Sequence, residues 1–180
     1  MVRNVNSQAP GEGQDNDDRL ATGHDSLQRV TRDFCRSMQK AAGSGSGGEP
    51  YAEILYHASY KSARHWCEKE ARTLGLSGMA VFEHYLHRLS RRGWGRFSVV
   101  EADATNGFAD VRLDHSTFVL AQAEACATKT CYMFAGWFAG MMDWIAENAG
   151  QPVKTICCET QCGADGFDHC IFAIRPQLFT

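Results

Sequence analysis

Apolar residues recur at helical spacing over some stretches of the chain and alternate with polar ones over others. Leu27, Val30, Phe34 and Met38 form one stripe, which predicts a helix from Asp25 to Ala41. Pro50 suits a first helical turn, and Ile54, Leu55, Ala58, Ser62, Trp66 and Ala71 continue at helical spacing to Leu74. Gly75 ends that helix. Ser77 is expected to cap the next one, whose apolar face is Phe82, Tyr85, Leu86 and Leu89, and Gly93 and Gly95 stop it. Phe97 and Val99 begin an alternating strand, Asn106-Gly107 marks a hairpin, and Ala109, Val111 and Leu113 alternate beyond it. Ser116 to Ala127 reads equally as strand or helix. Thr130 to Asn148 is helical and apolar on nearly every side, with Met133, Phe134, Trp137, Phe138, Met141, Trp144 and Ile145, so it belongs in the middle of a fold. Gly150 and Pro152 end it. Two strands, Val153–Glu159 and His169–Ile174, follow around a glycine-containing loop. Helices, hairpin, helix, hairpin is the order of an α+β domain.

The pattern divides the chain into a polar, disordered tail (1–24), a helix with the Gly/Ser linker Gly43–Gly48 (25–48), and a compact domain (49–180). The chain has 180 residues, 44% hydrophobic and 22% charged, with a net charge of -3. A basic field for nucleic acid or an anionic membrane is missing. The apolar run Tyr132–Ile145 is too short to span a bilayer and contains Asp143, and no apolar leader opens the chain. A cytoplasmic protein is expected, in which thiols stay reduced, so the 8 cysteines point to metal binding or burial and not to disulfides.

Glu159, Cys162 and Cys170 are spaced E-x2-C-x7-C, with two glycines and two aspartates between the cysteines, a composition that folds Cys170 back toward Cys162. Residues three apart on a flat strand face opposite sides, so Glu159 and Cys162 share an ion only if the chain bulges or turns between them. Cys131 stands at the start of the buried helix, where the helix dipole favours a thiolate. Three thiolates and a carboxylate fill a zinc tetrahedron and leave no open position, which makes a structural site. Burial as free thiols is the alternative reading, and Cys157 or Cys158 is a rival to Glu159. Cys35, Cys67 and Cys126 lack partners and read as inert.

The residues Cys131-Tyr-Met-Phe-Ala-Gly136-Trp-Phe-Ala-Gly140, followed by Glu159-x2-Cys162-x3-Gly166-x3-Cys170-x-Phe172, resemble the 4-vinyl reductase domain family. That family also supplies zinc-containing sensor domains of aromatic-responsive activators and is related in fold to transport-particle subunits. Over Tyr51–Arg92 the chain looks most like a stand-alone bacterial branch whose genes often accompany demethylation of dimethylglycine-type compounds. The resemblance implies an antiparallel sheet with helices on one side, a homodimer, and zinc on Cys131, Glu159, Cys162 and Cys170. It also implies a small-molecule pocket near the sheet and the early helices. The segment from Cys131 to Glu159 is longer than in the aromatic sensors, and Leu113 stands where those carry a ligand-contacting Trp.

His115, Trp137 and Trp66 are the candidate ligand-binding residues, with a solvated or core role as the plain alternative for each. No catalytic residue is assigned: nucleophile elbow, phosphate loop and dinucleotide fingerprint are all missing. The expected function is therefore a zinc-containing sensory or carrier domain for a small organic ligand. An enzyme or enzyme accessory of reductive or demethylating metabolism is the alternative.

Overall fold

The computed structural model describes residues 48–121, 131–151 and 153–177. The tail, the helix expected over 25–41, Cys35 and Cys126 lie outside these residues. Helix α1 runs Gly48–Leu74 and α2 Met79–Arg91. Strands β1 (Arg96–Asp103) and β2 (Phe108–Asp114) form the first hairpin. A short helix α3 (Thr117–Ala121) settles the start of the ambiguous stretch, whose remainder is outside the described residues. Helix α4 (Tyr132–Asn148), strand β3 (Thr155–Gln161), a 3-10 turn (Gly163–Asp165) and strand β4 (Cys170–Pro176) complete the order.

The four strands form one antiparallel sheet in the order β1-β2-β4-β3, an α+β architecture. Alternation turns Phe97, Ala109, Val111, Leu113, Cys157, Phe172 and Ile174 inward onto α4. Their partners there are the fully buried Phe134, Phe138, Met141 and Met142, with Phe138 and Phe172 ring centroids 5.1 Å apart. Helix α4 thus lies between the sheet and α1, which explains why nearly every side of it is apolar.

Two sequence expectations shift. Ser77 does not cap α2; Gly78 is the N-cap at φ 56, a backbone state that glycine adopts freely. The buried stripe of α1 is Ser59, Ala63 and Cys67, flanked by half-buried Tyr56 and Tyr60, whereas Ile54 is 64% exposed. The reason is the shape of the partner. Gly136 and Gly140 on α4 face the backbone carbonyls of Tyr56 and Tyr60, one pair per helical turn, and a Cβ on either glycine would sit far inside contact distance. Small residues on α1 are selected at this seam over large apolar ones.

Asp143 is the polar exception inside α4, 1% exposed. It accepts the backbone N–H and hydroxyl of Thr155 at 2.8 and 2.7 Å, and the Tyr60 hydroxyl at 2.6 Å. Tyr56 does the same job one step along: its hydroxyl accepts the backbone N–H of Cys157 at 3.2 Å. Strand β3 is a sheet edge, so both N–H groups would otherwise be open to pairing with another chain. Among the described residues no helix is long and apolar enough to cross a membrane.

Gly140→Ala should therefore destabilise the fold by about 3 kcal/mol, at the upper end of overpacking costs, because the clash is with backbone and no rotamer relieves it. Urea denaturation of the variant measures it; a loss below about 1 kcal/mol would show that α1 moves away freely.

Candidate metal centre and adjoining cavity

Cys131 is the N-cap residue of α4, Glu159 lies on β3, Cys162 follows β3, and Cys170 opens β4. The β3–β4 register shifts between Glu159 and Gln161. That bulge uses up one residue of alternation, so Glu159 and Cys162 both face inward, which an unbroken strand forbids. The four residues are buried, with one ligand atom of each within 4.8 Å of all the others.

These distances suit zinc. A tetrahedron with Zn–S bonds of ~2.3 Å has S–S edges of about 3.8 Å; Cys162 Sγ and Cys170 Sγ are 3.9 Å apart. Each sulfur also has a donor group beside it. Gly163 N–H donates to Cys170 Sγ at 3.3 Å and Ala164 N–H to Cys162 Sγ at 3.4 Å, while Ser116 Oγ lies 3.3 Å from Cys131 Sγ. Hydrogen bonds of this kind orient thiolate ligands and spread their charge. Cys131 N–H reaches Glu159 Oε2 at 3.4 Å, whereas Glu159 Oε1 is buried without a hydrogen-bond partner. An orphaned buried carboxylate oxygen is costly, and a cation among the three sulfurs would satisfy it.

The proton inventory agrees. Burial pushes the Glu159 carboxyl up to about 8 and the Cys131 thiol well above its ordinary value. The Cys162 thiol moves the other way, held down by hydrogen bonds from Cys131 and Cys170. In the metal-free protein burial therefore outweighs the helix-dipole effect expected at Cys131. The cluster shares protons around one anionic sulfur, and a divalent cation would displace them.

The rivals fall into different places. Cys157 is buried on the Glu159 side but outside the four-residue group, and Cys158 points to the opposite face and is exposed. Cys67 is a buried thiol on α1, raised by burial to about 12. His115 is exposed at the end of β2 with φ 56, next to the Ser116 that touches Cys131. Trp137 packs in the aromatic core against Trp94, Tyr85 and Phe134. Trp66 is half-buried where α1 meets α2, stacked on His84.

A cavity of about 670 Å³ opens between the N-terminal half of α1, the inner face of α4 and the edge strand β3. Tyr56, Tyr60, Tyr132, Ala135, Ile156 and Cys157 are among its walls, and Glu159 borders it. His115, Trp137 and Trp66 do not line it. Tyr56 stands on the first helix, where the family resemblance implies a pocket, whereas Tyr132 carried no sequence signal for this role. Only the pairing of α1 with the β3 edge brings the two together.

The α+β fold is shared with solved structures of low sequence identity. It is similar to the phenol-responsive sensory domain of the transcription activator PoxR, solved with phenol: TM-score 0.64, 15% identity, 83% of this chain and 74% of that one. It is also similar to trafficking protein particle complex subunit 3 from Naegleria fowleri, solved covalently bound to palmitic acid, at TM-score 0.54 and 10% identity over 86% and 96% of the two chains. A vinyl-4-reductase family protein from Methanocaldococcus jannaschii has TM-score 0.51 and 13% identity over 89% and 93%. By sequence, the chain belongs to the family described as Domain of unknown function (DUF5943), matched over residues 8–100. The match ends within β1, so the metal cluster lies beyond it. No curated protein matches the sequence.

A pH test follows from Glu159. Its carboxyl titrates near 8 in the metal-free fold against 4.5 in an ordinary chain. A raised folded value favours the fold below the unfolded value and loses that benefit as pH rises through the folded one. Glu147, held near 2 by Arg64 and Lys154, is ionised throughout that window and contributes no slope. Cys162 offsets this slope: its thiol is held down in the fold, so the unfolded chain binds a proton there that the fold lacks, and stability from that group rises with pH. The melting temperature of metal-stripped protein should therefore stay nearly level from pH 5 to pH 8, and rise with pH in Glu159→Gln. The same pH dependence in the variant and the parent would exclude the proposed proton inventory.

Proposed function

We propose that the chain is a zinc-containing domain that binds a small organic molecule as a sensor or carrier and does not turn it over. The observation that carries this reading is the closed cluster Cys131, Glu159, Cys162 and Cys170 set against an apolar cavity. Four protein donors complete a tetrahedron, so zinc here serves to tie α4, β3 and β4 together. The ligand occupies the cavity, walled by tyrosines and by the β3 edge, a size and lining suited to a small aromatic or aliphatic molecule. The shared fold of a phenol-responsive sensory domain supports the sensor reading. The sequence-based set His115, Trp137 and Trp66 is a separate candidate and needs its own test. Assembly as a homodimer belongs to the same proposal.

A second reading makes the chain an enzyme or accessory in reductive or demethylating metabolism, within the stand-alone branch of 4-vinyl reductase-like proteins. Its support is the fold likeness to a vinyl-4-reductase family protein. Turnover of a bound compound by the isolated protein would decide for it.

Two outcomes are expected. Elemental analysis of unchelated protein should find about one zinc per chain, lost in Cys162→Ser and kept in Cys67→Ser; equal retention in both would show that Cys162 does not hold the metal. In a thermal-shift screen of aromatic acids, phenols and methylated amines, a ligand at a hundred times its Kd should add about 2.7 kcal/mol of stability. Tyr56→Phe should weaken that hit if the cavity is the site. If His115→Ala weakens it and Tyr56→Phe does not, the ligand sits elsewhere.

A further inference from the structure

Of the four cluster residues, Glu159 alone is among those lining the cavity. Glu159 is 8% exposed, and its Oε1 is buried without a hydrogen-bond partner. Glu159 therefore borders both the cluster and the cavity, and Tyr132, the chain neighbour of Cys131, lines the cavity with it. Glu159 is also the odd donor chemically. Zinc is borderline-soft, and beside three thiolates a carboxylate oxygen is the ligand most readily replaced.

We propose that Glu159 is the exchangeable member of the metal centre, and that the cavity delivers a small apolar thiol to the metal in its place. This rests on the metal reading above and deepens it by naming the ligand class. In the exchange the bond from Glu159 oxygen to the metal breaks, a bond from the thiol sulfur forms, and the S–H proton passes to the Glu159 carboxylate. Nothing is oxidised or reduced.

Charge selects the thiol. A divalent cation with three thiolates and a carboxylate already carries a formal charge of about -2. Glu53 and Asp143 line the same cavity, opposed by Lys154, so an anionic carboxylate ligand would bring a further negative charge beside them. A thiol that gives its proton to Glu159 leaves the total charge unchanged. The apolar walls, Tyr56, Tyr132, Ala135 and Ile156, favour an aryl or alkyl body on that thiol.

The full chain loaded with cobalt(II) in place of zinc tests this, with benzenethiol as the probe and phenol as its oxygen counterpart. Sulfur-to-cobalt charge-transfer absorption should rise by about one third with benzenethiol, as three thiolates become four, and stay unchanged with phenol. Glu159→Cys should start at the higher intensity and show no response. Filling the cavity by Ala135→Phe, or by Ala52→Phe on the half-buried first turns of α1, should keep the cobalt bands and weaken the benzenethiol response at least tenfold. Bound cobalt with unchanged bands under benzenethiol would overturn the proposal and leave the metal reading standing. So would an equal response to phenol, an equal response in Glu159→Cys or in both cavity-filling variants, or extraction of the cobalt by the thiol. Failure of the chain to bind cobalt or zinc at all would overturn the metal reading, and this proposal with it.

Discussion

The close approach of α1 to α4 at Gly136 and Gly140 sets the positions of the other parts. Two glycines one turn apart let the carbonyls of Tyr56 and Tyr60 rest on the α4 backbone. At that separation the Tyr60 hydroxyl reaches Asp143, and the Tyr56 hydroxyl reaches past α4 to the β3 edge. A wider seam would leave the Thr155 and Cys157 N–H groups at an open sheet edge, and would leave Asp143 with fewer donors for a buried carboxylate. The cavity is a product of the same geometry. It is the space left where α1 diverges from β3 while small side chains hold it down on α4.

The Cys/Glu cluster depends on a different local event, the bulge between Glu159 and Gln161. Strand alternation keeps Thr155, Cys157 and Glu159 inside and Ile156 and Cys158 outside. Without the extra residue the inward series would continue at Gln161 and send Cys162 outward. With it, Cys162 turns inward, accepts a hydrogen bond from Ala164 N–H and meets Cys170 across the 3-10 turn. The spacing E-x2-C therefore encodes a bulge as well as an inward-facing pair, and the need for the bulge was readable from parity alone.

Much of this was legible in the sequence because it is periodic. Ala109, Val111 and Leu113 alternate, α2 shows a clean apolar face, and α4 is apolar all round, so element order and the central helix followed from spacing. The α1 stripe did not, because hydrophobicity ranks Ile54 and Leu55 above Ser59, Ala63 and Cys67, whereas the seam selects on size. The cap of α2 was missed for a related reason: Gly78 serves through its backbone state and offers no side chain to read. The walls of the cavity were the least legible. Tyr56 and Tyr132 are 76 positions apart, and only the docking of α1 against β3 makes them neighbours of Glu159.

Glu159 is the point at which the two local geometries meet. The bulge aims its carboxylate into the cluster, and the α1–α4 seam opens the cavity behind it. Cys157 lies two residues away on the same face, also bordering the cavity, yet outside the four-atom group. A thiolate at position 159 would carry the same charge as the carboxylate and bind a borderline-soft cation more firmly. The weaker donor stands at the one cluster position that borders the cavity. Under the proposed exchange that placement is what a yielding fourth bond requires, and the carboxylate also accepts the proton that a neutral incoming thiol loses. Position and donor type at residue 159 then answer to one requirement, that the proposed site can open toward the cavity.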